Sequence, residues 1–329
     1  MRFEFAATVK TSISGKSAVR VHVLSRDNRR NMNASDFPAL FAGIVCLSLA
    51  ASASAAPKSA VVRRPVLDMF SKPSRDADVV SQAIYSTRVD VLTKRGAWAN
   101  IRTPDQYTGW VEKKGLRILR GGSYPATQKV AQVESLRAHI YREASVTKHA
   151  PLLSVPFDAR LEVVSEGSGP AREGDDEHWI EVRLVEGATG WVQRGDVSLE
   201  AKPQNISELV ELSRRFLGLP YTWGGASAFG YDCSGFTQML CRRGGVQIPR
   251  DAQPQADWEG MTKVERSALQ PGDLLYFGAS ADKITHTAFY LGDGRFIHAT
   301  TNTHPVVQIS RLNDQPWTEL LVACRRWKK

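Results

Sequence analysis

The sequence predicts a multidomain chain in which two small all-β barrels precede an α+β domain. Three observations predict it. A pair of strand-like segments, each opening or closing on tryptophan, occurs twice. A glycine-rich stretch runs into an apolar-spaced helix at Cys233. Two apolar runs then flank Gly292-Asp293-Gly294. At 329 residues the chain exceeds one ordinary domain, with material for several cores. Its 42% hydrophobic and 23% charged residues are those of a soluble globular protein.

Residues 1–56 read as a signal or targeting segment. The run from Phe37 to Ala50 is too short for a comfortable membrane span and leads into Ala-Ser-Ala-Ser-Ala-Ala, a cleavage-site composition. Export, periplasmic or secreted, is therefore expected, without a stable membrane anchor. The start is open between Met1 and Met32, because starting at Met32 discards Arg26, Arg29 and Arg30, which a signal needs. The formal charge is +9, and +5 beyond residue 56. That suits an anionic polymer or plain solubility. No dense basic cluster with interleaved aromatics speaks for nucleic acid.

Residues 57–122 and 123–200 are read as the two barrels. Trp98-Ala99-Asn100-Ile101-Arg102 precedes Gly109-Trp110-Val111, and Trp179-Ile180-Glu181-Val182-Arg183 precedes Gly190-Trp191-Val192. The tryptophans are twelve residues apart in both copies. Each copy has an earlier alternating segment, Val89 to Leu92 and Leu161 to Val164, and short strands between turn signals indicate small barrels. The copies resemble bacterial SH3-like (SH3b) domains. The four tryptophans are read first as packing.

Residues 201–329 form the expected α+β domain. A helix from Asn205 to Leu217 is capped by Asn205 with Glu208 three residues later. A second helix starts at Cys233, with Asp232 as cap, Phe236, Met239 and Leu240 as its apolar face, and Gly244-Gly245 as its stop. A thiol attacks as thiolate, which a helix N-terminus favours. His286 and His298 lie on the two arms of a hairpin. With Gly292-Asp293-Gly294 as a three-residue loop, they share one face, a diagonal step of roughly 7–8 Å apart. A two-residue Asp293-Gly294 turn would slip the register and separate them. The three-residue loop is the expectation, and it yields nucleophile, base and orienter in Cys233, His286 and His298.

Three cysteines remain beyond residue 56, an odd number that argues against a disulfide framework. Cys233 and Cys241 are separated by about 12 Å along one helix, too far to bridge. Cys241 and Cys324 read as core thiols. His139, His149 and His178 lack ligand spacing, so neither metal nor other cofactor is expected.

Five pieces resemble the NlpC/P60 family of cell-wall cysteine peptidases. They are Pro220 to Gly225, Asp232-Cys233-Ser234-Gly235-Phe236, Pro249-Arg250-Asp251, Gln270-Pro271-Gly272-Asp273-Leu274 and the hairpin of His286 and His298. The resemblance covers about residues 205–327 and implies a papain-like catalytic domain. It points to the branch with SH3-like domains in front, similar to endopeptidases cutting between γ-D-glutamate and the L-diamino acid of peptidoglycan stem peptides. It further implies that Tyr107 and Asp251 hold the free amine of an N-terminal L-alanine, with Asp76 or Asp78 as a joining acid. Tyr221 would line the reacting centre. Ser234 and Arg250 would serve the glutamyl carboxylate, since Ala252 lacks a hydroxyl that the family often has there. The alternatives are a non-catalytic wall-binding scaffold, a related Cys-His amidase or acyltransferase, and an endopeptidase acting on intact peptidoglycan.

Overall fold

The doubled tryptophan pattern forms two seven-stranded antiparallel sheets of one topology. The first holds β1 (Lys58–Val62), β2 (Val66–Phe70), β3 (Val79–Ile84), β4 (Arg88–Arg95), β5 (Trp98–Arg102), β6 (Thr108–Glu112) and β7 (Leu116–Ile118). The second holds β8 (Val130–Val133), β9 (Arg137–Tyr141), β10 (Leu153–Pro156), β11 (Arg160–Ser165), β12 (Trp179–Arg183), β13 (Thr189–Gln193) and β14 (Val197–Ser198). Their strand orders are β3-β2-β6-β5-β4-β1-β7 and β10-β9-β13-β12-β11-β8-β14, identical position by position. This computed structural model describes residues 58–119, 121–166 and 178–328, within the compact unit Ala55–Lys329. The expected signal over 1–56 lies outside the described residues.

Alternation explains the strands. Ala99 and Ile101 of β5 face the first core, as Ile180 and Val182 of β12 face the second. The glycine of each Gly-Trp pair is required by close approach of a neighbouring strand. A Cβ on Gly109 would stand 2.9 Å from Met69 Cβ, and one on Gly190 would stand 2.7 Å from Ile140 Cγ2. The first tryptophan of each copy packs edge-on against an aromatic ring, Trp98 on Phe70 at 5.5 Å and Trp179 on Tyr141 at 5.7 Å.

After β14 comes α1 (Ile206–Arg214), with the reciprocal Asn205–Glu208 cap in place. It ends three residues before the expected Leu217, and Arg215 to Leu217 continue as single turns before Gly218. A small pair, β15 (Ala226–Ser227) and β16 (Gly230–Tyr231), leads into α2 (Cys233–Arg243). Asp232 caps α2 by accepting the Gly235 N–H at 2.7 Å, and Gly245, at φ +86°, closes its far end. Then follow α3 (Ala252–Asp257), β17 (Met261–Lys263), β18 (Leu274–Ser280), β19 (Lys283–Gly292), β20 (Arg295–Thr300), β21 (Val306–Arg311), α4 (Trp317–Leu320) and β22 (Leu321–Trp327). The strands make one antiparallel sheet, β17-β22-β18-β19-β20-β21. Phe236, Met239 and Leu240 of α2 share a core with Tyr276, Phe289 and Ile297 on one face of this sheet. Phe277, Tyr290 and Phe296 meet Trp317 on the other. Each such buried side chain contributes about 1.5–3 kcal/mol. Cys241 sits in the first of these cores and Cys324 in the second.

The hairpin corrects the expected loop. Asp293 and Gly294 form a two-residue turn, both at positive φ, between the paired Gly292 and Arg295. A bulge between Tyr290 and Gly292 absorbs one residue and restores the pairing Tyr290↔Phe296 and Phe289↔Ile297. The turn that should have separated the histidines is present, and the bulge cancels its slip.

The parts interlock through one repeated position. Tyr85, following β3, lies in the core of the second sheet, and its hydroxyl accepts the Val185 N–H at 2.7 Å. Phe157, following β10, lies in the C-terminal core, edge-on to Phe216 at 5.2 Å. Among the described residues no helix is long and apolar enough to cross a membrane.

Candidate active site

The glycine-rich loop and β15–β16 fold back on one another to present the start of α2. Thr222 N–H donates to the Tyr231 carbonyl and Asp232 N–H to that of Gly225, both at 3.0 Å. Asp232 has a second partner besides the helix. Its carboxylate receives Arg250 through Nη1 at 3.0 Å and Nη2 at 2.6 Å. The remaining Arg250 donors go to Ser234 Oγ at 2.9 Å, the Gly225 carbonyl at 3.3 Å and Ser81 Oγ of the first sheet at 3.0 Å. A guanidinium has five N–H groups, and all five are taken. Arg250 is 2% exposed.

Arg250 and Ser234 are therefore not placed as the sequence predicts. No Arg250 donor remains for a substrate carboxylate, and the Ser234 hydroxyl is turned to Asp232 and Arg250. They hold the helix cap and, through Ser81, tie the first sheet to it. A second tie lies beside it, where Gln82 Oε1 accepts from Ala226 N and Ser227 Oγ at 3.1 and 3.2 Å.

His286 pairs with Phe277 across β18–β19, and His298 with Gln308 across β20–β21. The β19–β20 ladder is registered only between Phe289↔Ile297 and the turn. Past it, the Thr287 N–H hydrogen-bonds the Cys233 sulfur instead of a strand. The nucleophile candidate thus sits one residue from His286. His286 Nε2 lies 2.7 Å from His298 Nδ1. His286 therefore has only Nδ1 for other chemistry. Trp317 lies tilted against His286 at 5.3 Å and meets His298 edge-on at 4.8 Å.

Electrostatics bear on the two resting states open to the pair, neutral thiol with neutral imidazole or thiolate with imidazolium. Burial pushes the Cys233 thiol up to about 12, and the neighbouring Asp232 charge adds to it, while the Thr287 and Ser234 N–H groups pull the other way. Burial lowers His286 to about 4 and takes His298 well below the ordinary range. Both shifts run in the direction that disfavours a thiolate–imidazolium pair at rest. Desolvation outweighs the helix N-terminus here, so the thiol proton must leave as the sulfur attacks.

The rim of the cleft comes from two parts of the chain. Tyr107, in the loop after β5, donates its hydroxyl to Asp251 Oδ2 at 3.2 Å. Loss of solvent raises both groups, the tyrosine to about 12. Pro104, Gln106, Pro254 and Trp258 border the same cavity, of about 300 Å³. Asp251 precedes α3 but makes no side-chain cap, which leaves its carboxylate to Tyr107. Tyr221 is half-buried near Cys233, and burial pushes its hydroxyl up.

Cys233, His286, His298 and Tyr221 thus gather at one centre, and Tyr107 and Asp251 pair in a cavity linked to it through Arg250, which bonds Asp232 and Ser234. Asp76 and Asp78 lie in the turn between β2 and β3. The first-sheet acid that reaches across is Asp105, which accepts Gln238 Nε2 of α2 at 2.9 Å and borders the same cavity. Sequence reasoning missed Asp105, and it missed Trp317 and Ser310, whose Oγ lies 3.0 Å from His298 Nε2. None had a local signal, because each reaches the site through packing of distant segments.

Comparison with known proteins places the chain in a family. Residues 218–326 match the NlpC/P60 family, and residues 69–116 match the bacterial dipeptidyl-peptidase Sh3 domain. A γ-D-glutamyl-L-lysine dipeptidyl-peptidase of Bacillus cereus is 30% identical over 262 residues, spanning 75% of this chain and 74% of the relative. One of the same name from Bacillus subtilis is 27% identical over 261 residues, 76% of this chain and 82% of its own. The crystal structure of an NlpC/P60 family protein from Bacillus cereus aligns with a TM-score of 0.68 at 25% identity, covering 82% of this chain and 99% of that one.

Proposed function

We propose that the chain, which belongs to the NlpC/P60 family and is a cysteine peptidase, hydrolyses the γ-D-glutamyl–L-diamino acid amide of peptidoglycan stem peptides bearing a free N-terminal L-alanine. The observation that carries this is the Tyr107–Asp251 pair, 3.2 Å apart, in a cavity whose wall includes Arg250, the residue bonded to Asp232 and Ser234 on either side of Cys233. A carboxylate and a phenol oxygen side by side in a partly dry cavity suit an ammonium group. An acylated amine would leave the Asp251 carboxylate desolvated with only the Tyr107 hydroxyl as partner and no charge opposite it, so the cavity selects against glycan-linked peptides. Asp105 supplies a further negative charge to the same cavity.

In this reading His286 Nδ1 takes the Cys233 proton as the sulfur attacks the γ-carbonyl. The oxyanion is held by the Cys233 N–H at the start of α2, with Tyr221 beside it. The Nδ1 proton then passes to the leaving amine, and water attacks the thioester with His286 as base. His298 orients the imidazole throughout. The same reading takes the two sheets as SH3-like barrels over 57–122 and 123–200, and 201–329 as a papain-like domain. It also takes residues 1–56 as an export signal that delivers the enzyme to the wall.

The test is mass spectrometry of the purified protein with L-Ala-γ-D-Glu-diaminopimelate, its lysine counterpart and the N-acetylated form of each, with Cys233→Ala as control. Cleavage of the free-amine peptides, lost in the variant, is expected. Equal cleavage of acetylated peptides would sink the amine-holding role and point to intact wall. No cleavage by folded, reduced protein would leave a binding scaffold.

A further inference from the structure

We propose that Ser310 is a fourth, positioning member of this centre, setting which nitrogen of His298 carries its proton. The inference rests on the catalytic reading above. His298 is fully buried, and both its nitrogens have partners. Nδ1 stands 2.7 Å from His286 Nε2, and Nε2 stands 3.0 Å from Ser310 Oγ. Register places the serine there. His298 opposes Gln308 and Phe296 opposes Ser310, so His298 and Ser310 are diagonal neighbours on one face of β20–β21.

A neutral imidazole has one N–H, and the chain of contacts allows two arrangements. In the first, His298 Nε2–H donates to Ser310 Oγ. Its bare Nδ1 then accepts His286 Nε2–H, and His286 presents a bare Nδ1 to the thiol. In the second, His298 Nδ1–H donates to His286 Nε2. The His286 proton then sits on Nδ1, and no lone pair remains for the Cys233 proton. In the second arrangement the Ser310 O–H would donate to a bare His298 Nε2; only the first leaves His286 Nδ1 free for the thiol proton, so we assign Ser310 Oγ as the acceptor of His298 Nε2–H.

The proton count closes on this arrangement. The S–H bond breaks and its proton bonds to His286 Nδ1, while the two Nε2–H groups stay where they are. The imidazolium is steadied by its hydrogen bond to His298 Nδ1. The same Nδ1 proton then goes to the leaving nitrogen. Ser310 neither gains nor loses a proton, so it acts through His298 and not on substrate.

Three readouts on the full chain test this with Ser310→Ala and Ser310→Thr. Nitrogen-15 NMR of the histidines should find His298 as the Nε2–H tautomer in the parent and the threonine variant, and mixed in the alanine variant. The iodoacetamide rate at Cys233, followed on its peptide, should fall about tenfold in the alanine variant and recover with threonine. On L-Ala-γ-D-Glu-diaminopimelate, kcat should fall roughly tenfold to a hundredfold with KM within about twofold, as expected for one unsatisfied buried donor. If the alanine variant does not fold, Ser310→Cys, of similar size and a weak acceptor, carries the same expectation. An unchanged His298 tautomer, an unchanged kcat, or a loss confined to KM would overturn the assignment. Should the parent fail to cleave the peptide, the substrate reading falls, while the tautomer and alkylation still decide on Ser310.

Discussion

The two repeats share one strand order, one pair of edge-on aromatics and one crowded glycine, yet they meet different neighbours with equivalent residues. Tyr85 and Phe157 occupy the same place in their copies. Tyr85 enters the core of the second sheet, and Phe157 enters the C-terminal core. The next residues, Ser86 and Asp158, both adopt positive φ. Ser86 Oγ accepts the Arg160 N–H of the second sheet at 3.0 Å, whereas Asp158 takes Arg242 of α2 at 2.7 Å and also Arg243. The β5–β6 and β12–β13 loops diverge likewise. The first brings Asp105 and Tyr107 to the cleft, and the second turns Val185 to Tyr85 and has Ala188 where the first has Tyr107. One scaffold thus sends its loop to Asp251 and Gln238 in one copy and to Tyr85 in the other. Function was placed on loops whose neighbours differ.

The largest expected effect breaks the tie between Asp158 and α2. Asp158→Asn keeps a residue that tolerates positive φ but removes the charge between Arg242, a third exposed, and Arg243, which keeps Glu134, so urea unfolding should show a loss of about 3 kcal/mol. KM for the free-amine peptide should stay within about twofold, because Tyr107 belongs to the other copy. A large KM change with little loss of stability would reverse the division of labour.

Acid sharpens the separation. The His286 imidazole titrates near 4 in the folded chain instead of 6.5. Between those values the unfolded chain binds a proton that the folded one refuses, so stability is full above 6.5 and falls as pH drops towards 4. The loss is about 3 kcal/mol for this group, and His298 works in the same direction. Asp158→Asn should start lower yet lose the same increment, since Asp158 and the histidines share no partner. Unfolding midpoints that do not move between pH 7 and 4.5 would contradict the buried neutral pair.

The smallest effect falls on the cleft loop. Tyr107→Phe should raise KM for the free-amine peptide about tenfold, as for one hydrogen bond to a charged group. Ala188→Tyr, the same exchange in the opposite sense, should leave KM unchanged. Steady-state kinetics of the two variants decides whether position alone, or position with tertiary placement, makes the tyrosine useful.

Much of this was legible in the chain because it is written at short range. Caps at Asn205 and Asp232, the Gly244-Gly245 stop, strand alternation around each tryptophan and the five family pieces all depend on spacings within a few residues. The hairpin marks the limit. The sequence of Gly292-Asp293-Gly294 allows either loop, and the structure uses the two-residue turn together with a bulge that undoes its slip. The right face for His298 was expected from a loop that is not the one formed.

What the sequence determined by itself was therefore local: which segments are helix or strand, that one strand pattern occurs twice, and that the chain carries the motifs of the NlpC/P60 family. Tertiary structure decided the rest. It consumed Arg250 in the cap of α2, chose Asp105 over Asp76 and Asp78, set Trp317 and Ser310 against the histidines, and made the Cys233 thiol harder to ionise. The reason is physical. Desolvation and hydrogen-bond saturation are sums over groups far apart in the chain, and no short-range pattern encodes such sums.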